Sequence, residues 1–60
     1  MAGNILLVED NRLSRQNIAA VLTRYGYQVM EATSGEDALE LLKDVDQFDV
    51  VIAVTHDGNG

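Results

Sequence analysis

The sequence contains no cysteine, no proline and no tryptophan, and it has one histidine and only four basic residues. Without cysteine there is no disulfide, no thiolate metal site and no thiol nucleophile. The lone histidine, His56, excludes a multi-histidine zinc site within one chain. Four Lys and Arg against ten Asp and Glu give a net charge of −6. That balance argues against a nucleic-acid or anionic-membrane partner, because binding phosphates needs a basic face. The apolar runs fall far short of the ~20 residues that span a membrane. The opening Met-Ala-Gly-Asn carries no basic stretch of the kind that begins a signal peptide. Lack of cysteine fits a cytoplasmic location.

What is present is apolar enough to fold. Hydrophobic residues make up 47% of the 60 positions, too many for a disordered acidic tail. One small domain, residues 1–60, is the most this length allows. Chains of this size bury only ~60% of the surface they expose when unfolded, so a partner chain is a common source of added stability.

Asn4-Ile5-Leu6-Leu7-Val8 is a continuous apolar run ending in Glu9-Asp10. Such a run predicts a strand buried on both faces, at residues 4–8. Residues 11–25 follow as a helix, with Leu13, Ile18, Val21, Leu22 and Tyr25 as its apolar face and Arg12, Arg15, Gln16 and Arg24 as its polar side. Asp10 or Asn11 is placed to cap its start, and Gly26 to stop it. Residues 27–32 alternate and predict a half-exposed edge strand. Ser34, with Asp37 three residues on, has the spacing of a capping box for a second helix at 35–44. Ala38, Leu39, Leu41, Leu42 and Val45 are its apolar face, with Glu36 and Glu40 toward water. A third strand is predicted at 48–54, and a polar, glycine-rich loop or tail at 55–60.

The order β-α-β-α-β implies parallel strands joined by right-handed helical crossovers. The most apolar strand, the first, belongs at the centre, which gives the order 2-1-3 with one helix on each face. This is half of a doubly wound α/β sheet. Ligands of such sheets bind beyond the carboxyl ends of the strands, where strand order reverses. Glu9 and Asp10 end the first strand there, and Val54, Thr55, His56 and Asp57 follow the third. Two adjacent carboxylates suit a hard cation such as Mg²⁺. The plainer reading is that Asp10 or Asn11 only caps the helix and Glu9 is solvated.

Ile5-Leu6-Leu7-Val8-Glu9-Asp10-Asn11, Arg15, Leu22 through Gly26-Tyr27, Ala32 through Ser34-Gly35-Glu36-Asp37-Ala38-Leu39, and Phe48-Asp49-Val50-Val51-Ile52 occur in that order. Together, over residues 4–54, they resemble the receiver domain of bacterial response regulators and hybrid sensor kinases. The resemblance implies a flavodoxin-like, CheY-like fold. It also implies a phosphorelay in which a histidine kinase or phosphotransfer protein passes a phosphoryl group to an aspartate ending the third strand. Mg²⁺ would be held by that aspartate and by the acidic pair, with Asp10 binding directly and Glu9 largely through water.

The chain departs from that pattern. The expected acceptor position, five residues after Asp49, is Val54, which offers neither nucleophile nor metal ligand. Asp57 is the nearest acid, and its use requires an insertion at the strand end. His56 in a polar tail reads as solvated, although a histidine can accept a phosphoryl group or bind a metal. The resemblance also implies further elements, namely strands four and five, three helices, a switch hydroxyl and a lysine near the phosphate, for which this sequence has no counterpart. No nucleotide-binding loop and no hydrolase elbow is present.

The third strand is expected to expose an apolar edge, Val50, Val51, Ile52, Ala53 and Val54, that templates pairing with another chain. A homodimer built on two such strands, antiparallel about a two-fold axis, is the expected assembly. The leading functional expectation is a receiver-derived module of two-component signalling that is not an enzyme, accepts no phosphoryl group, and acts by binding or self-association or stands as a fragment of the fold. One alternative is part of an authentic receiver, with Mg²⁺ on Glu9 and Asp10 and Asp57 as acceptor. Another is a weak divalent-metal-binding dimer using Glu9, Asp10 and either His56 or Asp57.

Overall fold

The computed structural model describes residues 3–54, apart from the Val45 side chain. Its elements are β1 (Asn4–Val8), α1 (Arg12–Arg24), β2 (Gln28–Ala32), α2 (Gly35–Leu41), a 3-10 segment (Leu42–Gln47) and β3 (Val50–Ala53). The three strands are parallel in the order β2-β1-β3. The most apolar strand is therefore central: Ile5, Leu6 and Leu7 are buried. Alternation along β1 sends Leu6 to one face and Ile5 and Leu7 to the other. Leu6 packs with Ala32 and with Ala38 of α2, and Val8, Leu41, Leu42 and Phe48 close around them. The right-handed crossovers put α1 on the opposite face, where its Ala19 is the buried residue.

Both ends of α1 are fixed by local chemistry. Of the two candidate caps the structure selects Asn11, whose Oδ1 accepts the Ser14 N–H at 2.9 Å. At the other end Gly26 has φ +95°, a backbone conformation that costs a side-chain-bearing residue steric clash. That turn lets Gly26 N–H reach Thr23 O at 2.9 Å and Tyr27 N–H reach Leu22 O at 3.2 Å, the paired bonds of a Schellman stop.

Several expected details are corrected. The buried strip of α1 is narrower than its apolar composition: Leu13, Val21 and Tyr25 are exposed, and Ile18, Ala19 and Leu22 face the sheet. Helix α2 ends at Leu41 rather than continuing to residue 44, and the chain tightens into 3-10 turns with non-helical angles at Asp44. Asp44 and Asp46 are poor helix formers, and Val45 is β-branched. Leu39 is exposed rather than packed, while the Val45 side chain lies outside the described residues. Ser34 Oγ accepts the Asp37 N–H at 3.2 Å, but the Asp37 carboxylate accepts from the Thr33 hydroxyl, so half of the expected capping box forms. Strand β3 starts at Val50 because Phe48 is drawn into the core and Asp49 brackets Asn4. Asp49 N–H donates to Asn4 O, and its Oδ2 accepts the Asn4 N–H, both at 2.8 Å.

Candidate functional site

The carboxyl ends of the strands meet at Glu9, Asp10 and Val54. Glu9 N–H donates to Ala32 O at 3.0 Å, extending the β1–β2 ladder by one bond. Its side chain is not solvated, as the plainer reading supposed: Glu9 is 1% exposed. The carboxylate turns back, and Oε2 accepts the Asn11 N–H at 2.7 Å. The residue thus serves the entry into α1 as well as the strand end. Asp10 is exposed beside it.

Arg15 holds this corner from above. Its Nη1 donates to Glu9 O at 3.0 Å and its Nε to Glu31 Oε1 at 3.2 Å. Glu31 is the register partner of Leu7 and so stands on the face that α1 covers. The Arg15 side chain is 14% exposed, which corrects its expected place on the polar side of the helix. A guanidinium has enough donors in one plane to satisfy a carbonyl and a carboxylate together.

Across the site, Val54 N–H donates to Val8 O at 3.0 Å. Since Val8 is in register with Ala53, Val54 comes level with Glu9. The cleft over the strand ends is lined by Glu9, Asp10, Thr33, Ser34 and Val54, among others. A second cleft lies at the opposite end of the sheet, lined by residues such as Gln28, Met30, Gln47 and Phe48. Among the described residues lining it there is no ionisable side chain, and so no acid, base or nucleophile.

For a cation, the donors at the site are the carboxylates of Glu9 and Asp10. One oxygen of Glu9 is already engaged by a backbone amide, and Val54 adds two methyl groups. Among the described residues no group of three or more His, Asp or Glu is placed to hold a metal ion. Such a set suits Mg²⁺ only with most of its shell filled by water. His56 and Asp57 lie outside the described residues.

A receiver-type sheet, with an acidic pair at the end of its central strand, matches what sequence comparison returns. The profile of the response regulator receiver domain matches residues 5–54. The chain belongs to that family. Its β2-β1-β3 sheet accordingly corresponds to part of the flavodoxin-like receiver fold. Similar proteins include Response regulator RR06 of Streptococcus pneumoniae serotype 2, 43% identical over 70% of this chain and 19% of its own length. Probable histidine kinase 4 of Oryza sativa subsp. japonica is 41% identical over 82% of this chain and 5% of its own length. Transcriptional regulatory protein AfsQ1 of Streptomyces coelicolor is 44% identical over 68% and 18% respectively. The chain thus spans a fifth or less of these relatives. No solved structure matches it.

Of the residues the sequence singled out, the fold gathers Glu9, Asp10 and Val54 at one end and sets Val50, Val51, Ile52 and Ala53 along β3, the outer strand of the sheet among the described residues. Sequence reasoning missed the inward role of Arg15. The available signal was its paired spacing, six residues after Glu9 and sixteen before Glu31, which only the register of β1 with β2 makes meaningful.

Proposed function

We propose that the chain is a receiver-derived module of two-component signalling that accepts no phosphoryl group and acts by binding and self-association rather than as an enzyme. The observation supporting this is the position of Val54, level with Glu9 at the site where the family pattern places its acceptor aspartate. Acceptance requires a carboxylate oxygen to attack phosphorus while the donor's leaving group departs, an imidazole nitrogen from a phosphohistidine or the bridging oxygen from acetyl phosphate. A valine side chain has no atom that can form that bond. Mg²⁺, when bound at Glu9 and Asp10, would neutralise charge on an oxyanion brought to the cleft. With only these two carboxylates we expect that binding to be weak. Arg15 and the Asn11 N–H hold the corner in shape whether or not a cation is present.

The partner class follows from kinship: a histidine kinase or phosphotransfer protein docks against receivers, and a second copy is supported by the open β3 edge. Among the described residues no helix is long and apolar enough to cross a membrane. The setting we infer is the cytoplasm, supported by the absence of cysteine.

The test is incubation of the 60-residue chain with acetyl phosphate and Mg²⁺, read by intact mass. We expect no change for the parent chain and a gain of about 80 Da, one phosphoryl group, for Val54→Asp. A phosphorylated parent chain, mapping to Asp57 or His56, overturns the proposal.

A further inference from the structure

Three consecutive peptide units at the turn from β1 into α1 are held by hydrogen bonds of three different origins. In the first, Glu9 N–H donates to Ala32 O at 3.0 Å, a rung of the sheet. In the second, Glu9 O accepts from Arg15 Nη1 at 3.0 Å. In the third, Asn11 N–H donates to Glu9 Oε2 at 2.7 Å. The second and third units are the two that flank Asp10. Peptide units are planar, so the orientations of two neighbouring planes set φ and ψ of the residue between them. Asp10 is thus the residue whose backbone is clamped from both sides by side chains. These bonds all lie within residues 9–32 and owe nothing to the sequence that follows Val54.

Resting on the cation binding proposed above, we infer that Arg15 is a positioning residue for that site: by fixing the Glu9–Asp10 peptide it presents the Asp10 carboxylate to a divalent cation. Of the two carboxylates, that of Glu9 is buried and already accepts the Asn11 N–H. Asp10 is exposed and lines the cleft, so it is the one a hydrated cation meets first. A ligand whose backbone is ordered beforehand loses no further freedom when the cation binds. Glu31 steadies the other side of the guanidinium, its Oε1 accepting from Nε at 3.2 Å. It also sets a negative charge beside a positive one that would otherwise oppose the cation.

Charge and positioning forecast opposite signs. Arg15 brings a positive charge to the corner, and a positive charge opposes a divalent cation. If Arg15 acted only as a charge, removing it would tighten cation binding. If it only held the fold together, the folded form would bind as before. As a positioning residue, its removal weakens binding although a repulsive charge has gone. Freeing one residue's backbone and ordering it again on binding, with the Asn11 side of Asp10 still clamped, corresponds to a loss of roughly three- to tenfold in affinity. Combining Arg15→Met with Glu31→Gln removes one charge of each sign. The net charge of the corner is then that of the parent chain, and a change in affinity reflects geometry.

The test is a titration of the isotope-labelled 60-residue chain with Mg²⁺ into the millimolar range, at constant ionic strength so that screening does not change. Binding is followed at the Asp10 and Asn11 amide resonances of the folded form, which keeps any unfolded population out of the comparison. The parent chain is expected to respond at both amides. Arg15→Met, and Arg15→Met combined with Glu31→Gln, are expected to bind more weakly by the factor given above. If either variant binds as tightly as the parent or tighter, the positioning role of Arg15 is overturned and cation binding stands. If the parent's Asp10 and Asn11 resonances do not respond to Mg²⁺, the cation reading is overturned and this inference falls with it. A second measurement requires no variant to fold. The Asp10 HN–Hα coupling of the parent chain, which reports φ, is expected to be the same before and after Mg²⁺ is added. A coupling that changes on binding would show that Asp10 is not set in advance, and it overturns the positioning role even where binding is retained.

Discussion

Replacing Arg15 by methionine keeps most of the side-chain stem and removes the guanidinium. Two interactions disappear, and the structure separates their sizes. The Nη1 bond to Glu9 O is charge-assisted and sits against a residue that is 1% exposed. Bonds of that kind contribute about 1.5–3 kcal/mol. The ion pair with Glu31 is worth much less, because the Glu31 side chain is 42% exposed and water competes for it. Exposed pairs contribute roughly 0.2–1 kcal/mol. The expected loss is therefore ~2–3 kcal/mol for Arg15→Met and about 0.5 kcal/mol for Glu31→Gln, which removes only the pair. At roughly 0.05–0.15 kcal/mol per residue, a chain of this length has about 3–9 kcal/mol in total, so the first substitution removes a large share of it and should lower the urea midpoint clearly. The assay is urea denaturation followed by far-ultraviolet circular dichroism, at one fixed protein concentration because self-association shifts apparent stability. Equal losses for the two variants, or a loss below about 0.5 kcal/mol for Arg15→Met, would show that the carbonyl bond does not hold the corner.

Two further outcomes can be checked in the same assay. Gly26→Ala should cost about 1–2 kcal/mol, since the φ of +95° forces a Cβ into the left-handed region even though no neighbouring atom crowds it; a neutral effect would mean that the turn rearranges at little cost. Asp49→Ala should cost ~1–2 kcal/mol through loss of the carboxylate bond to the Asn4 N–H. It should also broaden the amide resonances of β3 more than those of β2, and uniform broadening across the sheet would refute a local role for Asp49.

The parts of this fold that were legible in the sequence are those whose signal is local. The run from Ile5 to Val8, broken by Glu9, reads directly as a central strand, and Gly26 between two helical turns and a β pattern reads as a stop. The position of the acidic pair at the carboxyl end of the central strand was legible for the same reason. Periodicity failed where burial depends on width rather than spacing. It counted Leu13, Val21 and Tyr25 toward the core, yet a helix lying close to a sheet buries a narrow strip, and small Ala19 takes the closest approach. Arg15 was assigned to water because it is charged, although its partners are a carbonyl six residues back and a carboxylate on another strand. Asp49 likewise read as part of a strand, and only its bonds to Asn4 show it standing just before one.

The order β2-β1-β3 makes β1 a hub. The outer strands do not touch each other, so each is held to the sheet by β1 alone. Detachment of β3 would leave the β1-α1-β2 unit with its pairing and its Arg15 corner intact, whereas loss of β1 would dissolve the sheet. Amide exchange should accordingly be graded. It should be slowest at Leu6 and Leu7, which bond on either side, and faster at Val51 and Ala53, which lie exposed on the outer strand. The strand that ends beside the acidic pair is thus also the one that can leave the sheet most readily, and any event that seats a partner on it converts a loosely held edge into an interior strand.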